Sequence, residues 1–293
     1  MSHLVVMAAG TGGHIMPGLA VAAEMRRRGW SVSWLGTRHG MENRLVPPAG
    51  IPLDAIGFSG LRGKGALHAL TGGLRLMKAF WDCLGILRRR GADAVLGMGG
   101  YVCFPGGLMA SLLNRPLVLV NADAALLLSN KSLLPVADRV VFGFAGEAAA
   151  RVKGAVVTGN PVRDEIAALP PPQERYAGRG GPLQLLVVGG SLGAKVLNET
   201  VPAALALLPA HERPQVVHQA GSAHAEAVRA AYAQAGVAAE VLPFVEDMAA
   251  AYGWAALVLC RAGALTIAEL TAAGLGALLV PYPHAVDDHQ TAN

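Results

Sequence analysis

The chain alternates short apolar runs with longer segments in which apolar positions recur every third or fourth residue. Runs at 4–8, 32–35, 94–98, 117–120, 140–142 and 156–158 have the length and composition of buried strands. Between several of them, segments such as 17–28 and 70–90 carry helical spacing and close on a glycine, Gly29 and Gly91. Fully apolar strands alternating with helices predict a parallel sheet covered on both faces. Residues 169–182, LPPPQERYAGRGGP, break the rhythm with consecutive prolines and several glycines, and predict a linker or long surface loop. The pattern then restarts, with strands at 183–188, 215–218, 241–244, 257–259 and 277–280 and helices beginning near Ala194, Ala223, Asp247 and Leu265. The expectation is an α/β protein of two Rossmann-like domains, 1–160 and 161–293, whose parallel sheets face a cleft. Ligands of such sheets bind beyond the carboxyl ends of the strands. The closing residues DHQTAN read as the first turn of another helix, so the second domain is expected to be incomplete at its C-terminus.

Composition narrows this picture without redirecting it. A length of 293 residues suits two domains, and 53% hydrophobic content is ample for two cores. The run at 4–6 is too short and lacks the basic flank of a signal peptide. No uninterrupted apolar stretch reaches the ~18 residues of a membrane span. Three cysteines, odd in number and far apart, fit a reducing compartment. A formal charge of +4 suits anionic substrates or an anionic membrane surface. Neither an aromatic-rich RNA-binding motif nor zinc-finger spacing is present, so nucleic acid is not an expected partner.

Three strand–glycine–helix junctions carry the candidate chemistry: Gly10-Thr11-Gly12-Gly13, Gly97-Met98-Gly99-Gly100-Tyr101 and Gly189-Gly190-Ser191-Leu192-Gly193. Glycine lets a ligand approach the main chain, and a helix amino end offers N–H groups to phosphate. Each could be an ordinary turn; three together favour a diphosphate ligand. The first is not GxGxxG, because Ile15 stands where the third glycine belongs, and WLGTRHG shows no acid at the end of the second strand. No G-K-[ST] follows, so a Walker A loop is excluded too. His14 follows the first turn near a helix amino end, which lowers a histidine pKa and favours the neutral form a general base needs. His39, His68, His211 and His224 read as surface residues, whereas His218 at a strand end is expected to line the cleft. Asp287-Asp288 reads as loop, and nothing forms a metal-binding constellation. Thr266 and Glu269 have capping-box spacing; Glu269 is either a helix cap or a carboxylate aimed at sugar hydroxyls. In the segment 70–90, Leu70, Leu74, Met77, Trp81 and Leu84 form one stripe amid Arg75, Lys78, Arg88, Arg89 and Arg90. That composition serves equally an interfacial helix on anionic lipid and an amphipathic helix packed on the sheet.

GTGGHIMPGLAVA, GMGGYVCFPGG, GNPVR, GGSLGA, RAGALTIAEL and DHQTAN occur in an order and spacing that resembles the MurG family of bacterial cell-wall glycosyltransferases, from residue 4 to 293. The resemblance implies a GT-B architecture and inverting transfer of N-acetylglucosamine from UDP-N-acetylglucosamine to undecaprenyl-diphosphate-linked muramoyl-peptide (lipid I), giving lipid II for peptidoglycan. It implies no cofactor and no metal in the site. It places the protein on the cytoplasmic face of the bacterial inner membrane as a peripheral protein and leaves room for other cell-wall synthesis proteins as partners. On the donor it implies Arg163, Gly190, Ser191, the backbone of Val245, Ala264, Leu265, Thr266, Glu269 and Gln290. Thr11, Gly12 and Gly13 would face the transferred sugar and the acceptor diphosphate. Gly99, Gly100 and Tyr101 would bind the acceptor, with Arg62 and Lys64 of SGLRGKG adding charge. His14 becomes the candidate base for the acceptor hydroxyl, or else a phosphate contact. The chain departs from the family at Val120-Asn121-Ala122-Asp123, where His-Glu-Gln-Asn is common: position 121 lacks a carboxylate and Asp123 replaces an amide that touches the donor sugar.

Other readings are a GT-B UDP-sugar transferase with a small lipophilic acceptor, or a non-catalytic nucleotide-sugar-binding protein of the cell-envelope machinery. A dehydrogenase stands further off, having lost its ribose anchor.

Overall fold

The computed structural model describes residues 1–10, 12–58, 66–190, 192–283, 285 and 288–293, with side chains in the helix that starts at Ala66 described from residue 72. Thr11, Arg62, Lys64, Ser191 and Asp287 lie outside the described residues, as do the side chains of His68 and Leu70. The chain divides into two compact units that meet in sequence at Pro161 and Val162.

The first unit holds β1 (His3–Ala8), β2 (Ser31–Thr37), β3 (Leu53–Ile56), β4 (Ala94–Gly99), β5 (Leu117–Asn121), β6 (Arg139–Phe142) and β7 (Val156–Val157). All pair in parallel in the order β3-β2-β1-β4-β5-β6-β7. Its helices are α1 (Gly12–Arg27), α2 (Glu42–Leu45), α3 (Ala66–Arg90), α4 (Cys103–Leu112), α5 (Leu128–Leu133) and α6 (Glu147–Arg151). Side chains alternate across a strand, so β1 feeds two cores. Val5 and Met7 join Leu35, Cys83, Leu87 and Leu119 on one face; Leu4, Val6 and Ala8 join Ile15, Trp34 and Met98 on the other. A strand apolar on both faces is what two layers of helices require.

β3 is absent from the sequence expectation. It is a four-residue edge strand, LDAI, half-buried at Leu53 and Asp54 and exposed at Ala55, and so lacks an apolar run. α1 starts at Gly12, five residues before the expected Pro17. Proline keeps a helical φ but gives no N–H to the carbonyl four residues back and crowds it; for Pro17 that carbonyl belongs to Gly13 in the first turn, so the turn Gly12–Met16 precedes it.

The second unit holds β8 (Gln184–Val188), β9 (Gln215–Gln219), β10 (Glu240–Leu242), β11 (Leu257–Cys260) and β12 (Gly276–Leu279), parallel in the order β10-β9-β8-β11-β12. Its helices are α7 (Asp164–Ala167), α8 (Pro172–Tyr176), α9 (Lys195–Ala206), α10 (Ala225–Gln234), α11 (Met248–Trp254), α12 (Ala264–Ala273) and α13 (His289–Ala292). Leu185 and Val187 pack on one face of this sheet and Leu186 on the other.

The proline-rich segment is a strap rather than a loose linker. Arg175 of α8 donates to the carbonyls of Pro170, Tyr252 (3.1 Å) and Ala273, while Arg179 donates to those of Gly253 (2.6 Å) and Trp254 (2.7 Å). The last carbonyls of α11 and α12 have no partner within their helices, and these two guanidinium groups take them.

Candidate functional site

Strand order in each sheet reverses direction at one point, between β1 and β4 in the first unit and between β8 and β11 in the second. Ligands of such sheets bind at this point, outside the carboxyl ends of the strands. All three glycine turns of the sequence lie there, following β1, β4 and β8.

In the first unit the two turns touch through their main chains. A Cβ built on Gly100 would lie 2.4 Å from the Ala9 carbonyl oxygen, and one on Gly99, at φ +116°, would lie 2.5 Å from Nδ1 of His14. Gly12 and Gly13 are the first two residues of α1, and His14, half-buried, is the third. The imidazole thus sits at the positive end of α1 and rests on the bare backbone of β4's last residue. Tyr101 follows, its ring edge-on to Phe58 at 6.0 Å. Cys103, fully buried, donates its thiol to the Gly99 carbonyl at 3.2 Å, and burial pushes that thiol up to about 12.

Two residues organise this end of the sheet. Glu42, with no exposed surface, accepts from the N–H (2.8 Å) and hydroxyl (2.6 Å) of Thr37 and faces the Gly10 N–H at 3.4 Å. A carboxylate therefore does stand beside the first glycine turn at the end of β2. It arrives from five residues beyond the strand, which is why the strand-end residues gave no sign of it. Asn121, also fully buried, donates to the carbonyls of Asp123 (2.7 Å) and Ala125 (2.9 Å) and accepts the Leu127 N–H (2.9 Å). Its amide folds the loop after β5 and holds Asp123, itself 9% exposed, in place.

In the second unit Gly190 (φ +83°) and Gly193 (φ +79°) shape the turn between β8 and α9. A Cβ at Gly193 would lie 2.0 Å from the Ala220 carbonyl oxygen, so only glycine lets this turn seat on the end of β9. Gln219, buried at that strand end, accepts the N–H of buried Val245 at 2.9 Å and fixes the loop after β10. His218 lines no cleft. It is fully buried between Tyr232 (2.9 Å from Nδ1) and Asn198 (3.1 Å from Nε2). Asn198 donates its amide to the Ala220 carbonyl, so its oxygen takes the Nε2 proton and the tyrosine hydroxyl donates to Nδ1. Burial lowers the imidazole to about 4.

Glu269 is buried on α12, a helix preceded by Gly263 with no side-chain cap. Thr266 and Glu269 lie inside the helix, so no capping box forms. Instead Oε1 of Glu269 accepts from Arg163 Nε (3.0 Å) and Nη2 (2.9 Å), and Oε2 accepts from Tyr252 Oη (3.3 Å). Burial raises the Glu269 pKa, with Arg163 pulling against it. Ala264 is buried and Leu265 and Thr266 half-buried in the first turn of the same helix. Gln290 on α13 accepts the Tyr282 N–H at 2.8 Å, and Arg261, at the end of β11, lies over the Tyr282 ring.

His39, His211 and His224 are exposed. α3 shows two apolar faces: Ala79, Cys83, Leu84 and Leu87 are buried, whereas Leu74, Met77 and Trp81 are 68%, 56% and 68% exposed. Arg75, Lys78 and Arg88 flank the exposed face, while Arg89 and Arg90 turn away to pair with Asp54. Among the described residues no helix is long and apolar enough to cross a membrane, and no group of three or more His, Cys, Asp or Glu could hold a metal ion.

Both units are those of a sugar transferase: the glycosyltransferase family 28 N-terminal domain matches residues 4–142 and the family 28 C-terminal domain residues 184–293. A UDP-N-acetylglucosamine–N-acetylmuramyl-(pentapeptide) pyrophosphoryl-undecaprenol N-acetylglucosamine transferase of Methylibium petroleiphilum is 66% identical over 99% of this chain and 81% of its own. Its counterpart from a Janthinobacterium species is 60% identical over 100% and 82%. The crystal structure of Acinetobacter baumannii MurG superposes with a TM-score of 0.80 at 41% identity, covering 100% of this chain and 82% of that one. The chain belongs to this MurG family, and its two Rossmann-like sheets are those of the GT-B fold.

Proposed function

We propose that the chain transfers N-acetylglucosamine from UDP-N-acetylglucosamine to lipid I, giving lipid II, with inversion at the anomeric carbon. The observation that carries this reading is the seat of His14, an imidazole at the amino end of α1 laid on Gly99 between two glycine turns. Residues 1–160 take the lipid-linked acceptor and residues 161–293 the nucleotide donor. His14 accepts the proton of the acceptor hydroxyl as that oxygen bonds to the anomeric carbon. The bond from this carbon to the diphosphate breaks, and UDP leaves with the electron pair. Attack opposite the leaving group inverts the centre. A positioned base of this kind contributes about 10²–10⁴-fold.

Gly12 and Gly13, with Thr11, face the transferred sugar and the acceptor diphosphate, which Gly99, Gly100 and Tyr101 also approach. Arg62 and Lys64 add positive charge, and Asp123 stands against the donor sugar. In the second domain Gly190 and Ser191 approach the donor diphosphate, where the amino end of α9 and Arg163 offset the charge that builds on UDP. The Val245 N–H is engaged by Gln219, so its carbonyl reads the uracil. Glu269 holds the ribose hydroxyls, and Ala264, Leu265, Thr266 and Gln290 complete the pocket. The exposed face of α3, Leu74, Met77 and Trp81 among basic residues, rests on the anionic cytoplasmic face of the bacterial inner membrane, where the acceptor lies.

The test is transfer of labelled N-acetylglucosamine to a short-chain lipid I analogue with EDTA present. Transfer that falls by about 100-fold or more in His14→Ala supports the reading. Donor binding without transfer to any acceptor would make the chain a nucleotide-sugar-binding protein instead.

A further inference from the structure

Tyr252 is buried, with 1% of its surface exposed, on the helix that follows the Val245 loop. Its hydroxyl lies 3.3 Å from Glu269 Oε2, the carboxylate oxygen that Arg163 leaves alone. Arg163 is only partly buried, at 21% exposure, whereas the phenol is held at both ends of its residue. Its ring packs against Ile166, Leu186 and Leu270, and its backbone carbonyl is held by Arg175 of the strap.

We infer that Tyr252 is a positioning residue for nucleotide recognition: its hydroxyl fixes the rotamer of Glu269, so that the carboxylate turns the one free lone pair of its Oε2 toward a ribose hydroxyl. The inference rests on the assignment of Glu269 to the ribose. Two observations support it beyond the contact itself. The phenol joins two helices, α11 and α12, one following the loop proposed for the base and the other carrying the group proposed for the sugar. It is also a donor to a carboxylate whose pKa burial raises, and so favours the charged, accepting form of Glu269. The groups that bear on this carboxylate are Arg163, Tyr252 and Glu165, and only the first two favour its charged form.

Calorimetric titration of UDP and of 2′-deoxy-UDP into the wild-type chain, Tyr252→Phe, Glu269→Gln and the double variant tests this. The expected result is that Tyr252→Phe binds UDP about tenfold more weakly and narrows the preference for UDP over 2′-deoxy-UDP. The acid limb of UDP binding moves to higher pH, because Glu269 has lost a donor, and the double variant binds as Glu269→Gln does. A general packing defect would weaken both nucleotides equally, leave the acid limb in place and add to the effect of Glu269→Gln; that pattern overturns the inference. An unchanged preference in Glu269→Gln overturns the ribose assignment itself, whereas a change there with none in Tyr252→Phe overturns only the role of the tyrosine. Should the phenylalanine variant fail to fold, difluorotyrosine placed at 252 keeps the shape and strengthens the donor. It must then move the acid limb to lower pH, and no movement refutes the proposal.

Discussion

The imidazole of His14 rests where a side chain at Gly99 would have to be: a Cβ there would sit 2.5 Å from Nδ1 and 2.7 Å from Cε1. Position 99 also holds φ at +116°, a backbone that alanine adopts only under strain of about 1–3 kcal/mol. Gly99→Ala is therefore expected to lower transfer at least tenfold by displacing His14, with UDP affinity unchanged. Single-turnover transfer beside UDP titration measures both. Weakened UDP binding would show that the substitution disturbs more than its own turn.

Asn121→Asp keeps size and shape but removes the two N–H donors that hold the carbonyls of Asp123 and Ala125. Leaving buried acceptors unsatisfied costs about 1–3 kcal/mol each, less where a carbonyl is part-exposed, as Ala125's is. A fall of about 2 kcal/mol in urea denaturation is expected, with slower transfer as the loop carrying Asp123 loosens.

His218 sets a pH dependence. Folding holds this imidazole near 4, below its ordinary 6.5, so between these values the unfolded chain binds the extra proton. Stability is full above pH 6.5 and is lost as pH falls toward 4, by about 3 kcal/mol for a shift of this size. Denaturation curves of wild type and His218→Gln across pH 4–7 should differ by that slope; parallel curves would mean that another group controls acid unfolding.

Arg175→Ala leaves the carbonyls of Tyr252 and Ala273 without their donor. The expected loss is about 2 kcal/mol, and Arg175→Lys should not restore it, since an ammonium cannot reach both helix ends with a planar fork. Thermal melting reads the difference.

Trp81→Ser on the exposed face of α3 should weaken binding to vesicles of anionic lipid by about tenfold or more, the scale of burying one aromatic side chain. Transfer to a water-soluble acceptor analogue should be unchanged. Equal vesicle binding by both proteins would remove this face from the membrane contact.

Most of the architecture is legible in the sequence because buried parallel strands must be apolar on both faces, and the runs at 4–8 or 183–188, which hold β1 and β8, can be little else. β3 escapes because an edge strand of four residues needs no such run. The glycine turns were legible for a related reason: only glycine tolerates the approach of Gly193 to Ala220. What the sequence hides are groups brought together from afar. Tyr252 and Glu269 are 17 residues apart, Gly10 and Glu42 are 32 apart, and Arg163 and Glu269 are 106 apart. A histidine at a strand end, read as facing a ligand, proved to be core because its neighbours Asn198 and Tyr232 supply both of its hydrogen bonds.

The carboxylate of Glu42 leaves room for nothing else around it. A Cβ at Gly40 would stand 2.1 Å from its Oε2, and one at Gly36 would stand 2.7 Å from its Cγ. Positions 36, 40 and 42 can therefore drift only as a set: any side chain at either glycine must wait for the glutamate to go, and losing the glutamate strands the Thr37 donors. Such a lock makes GTRHGME a single unit of shape, in which an exchange at 36 or 40 demands a compensating change at 42.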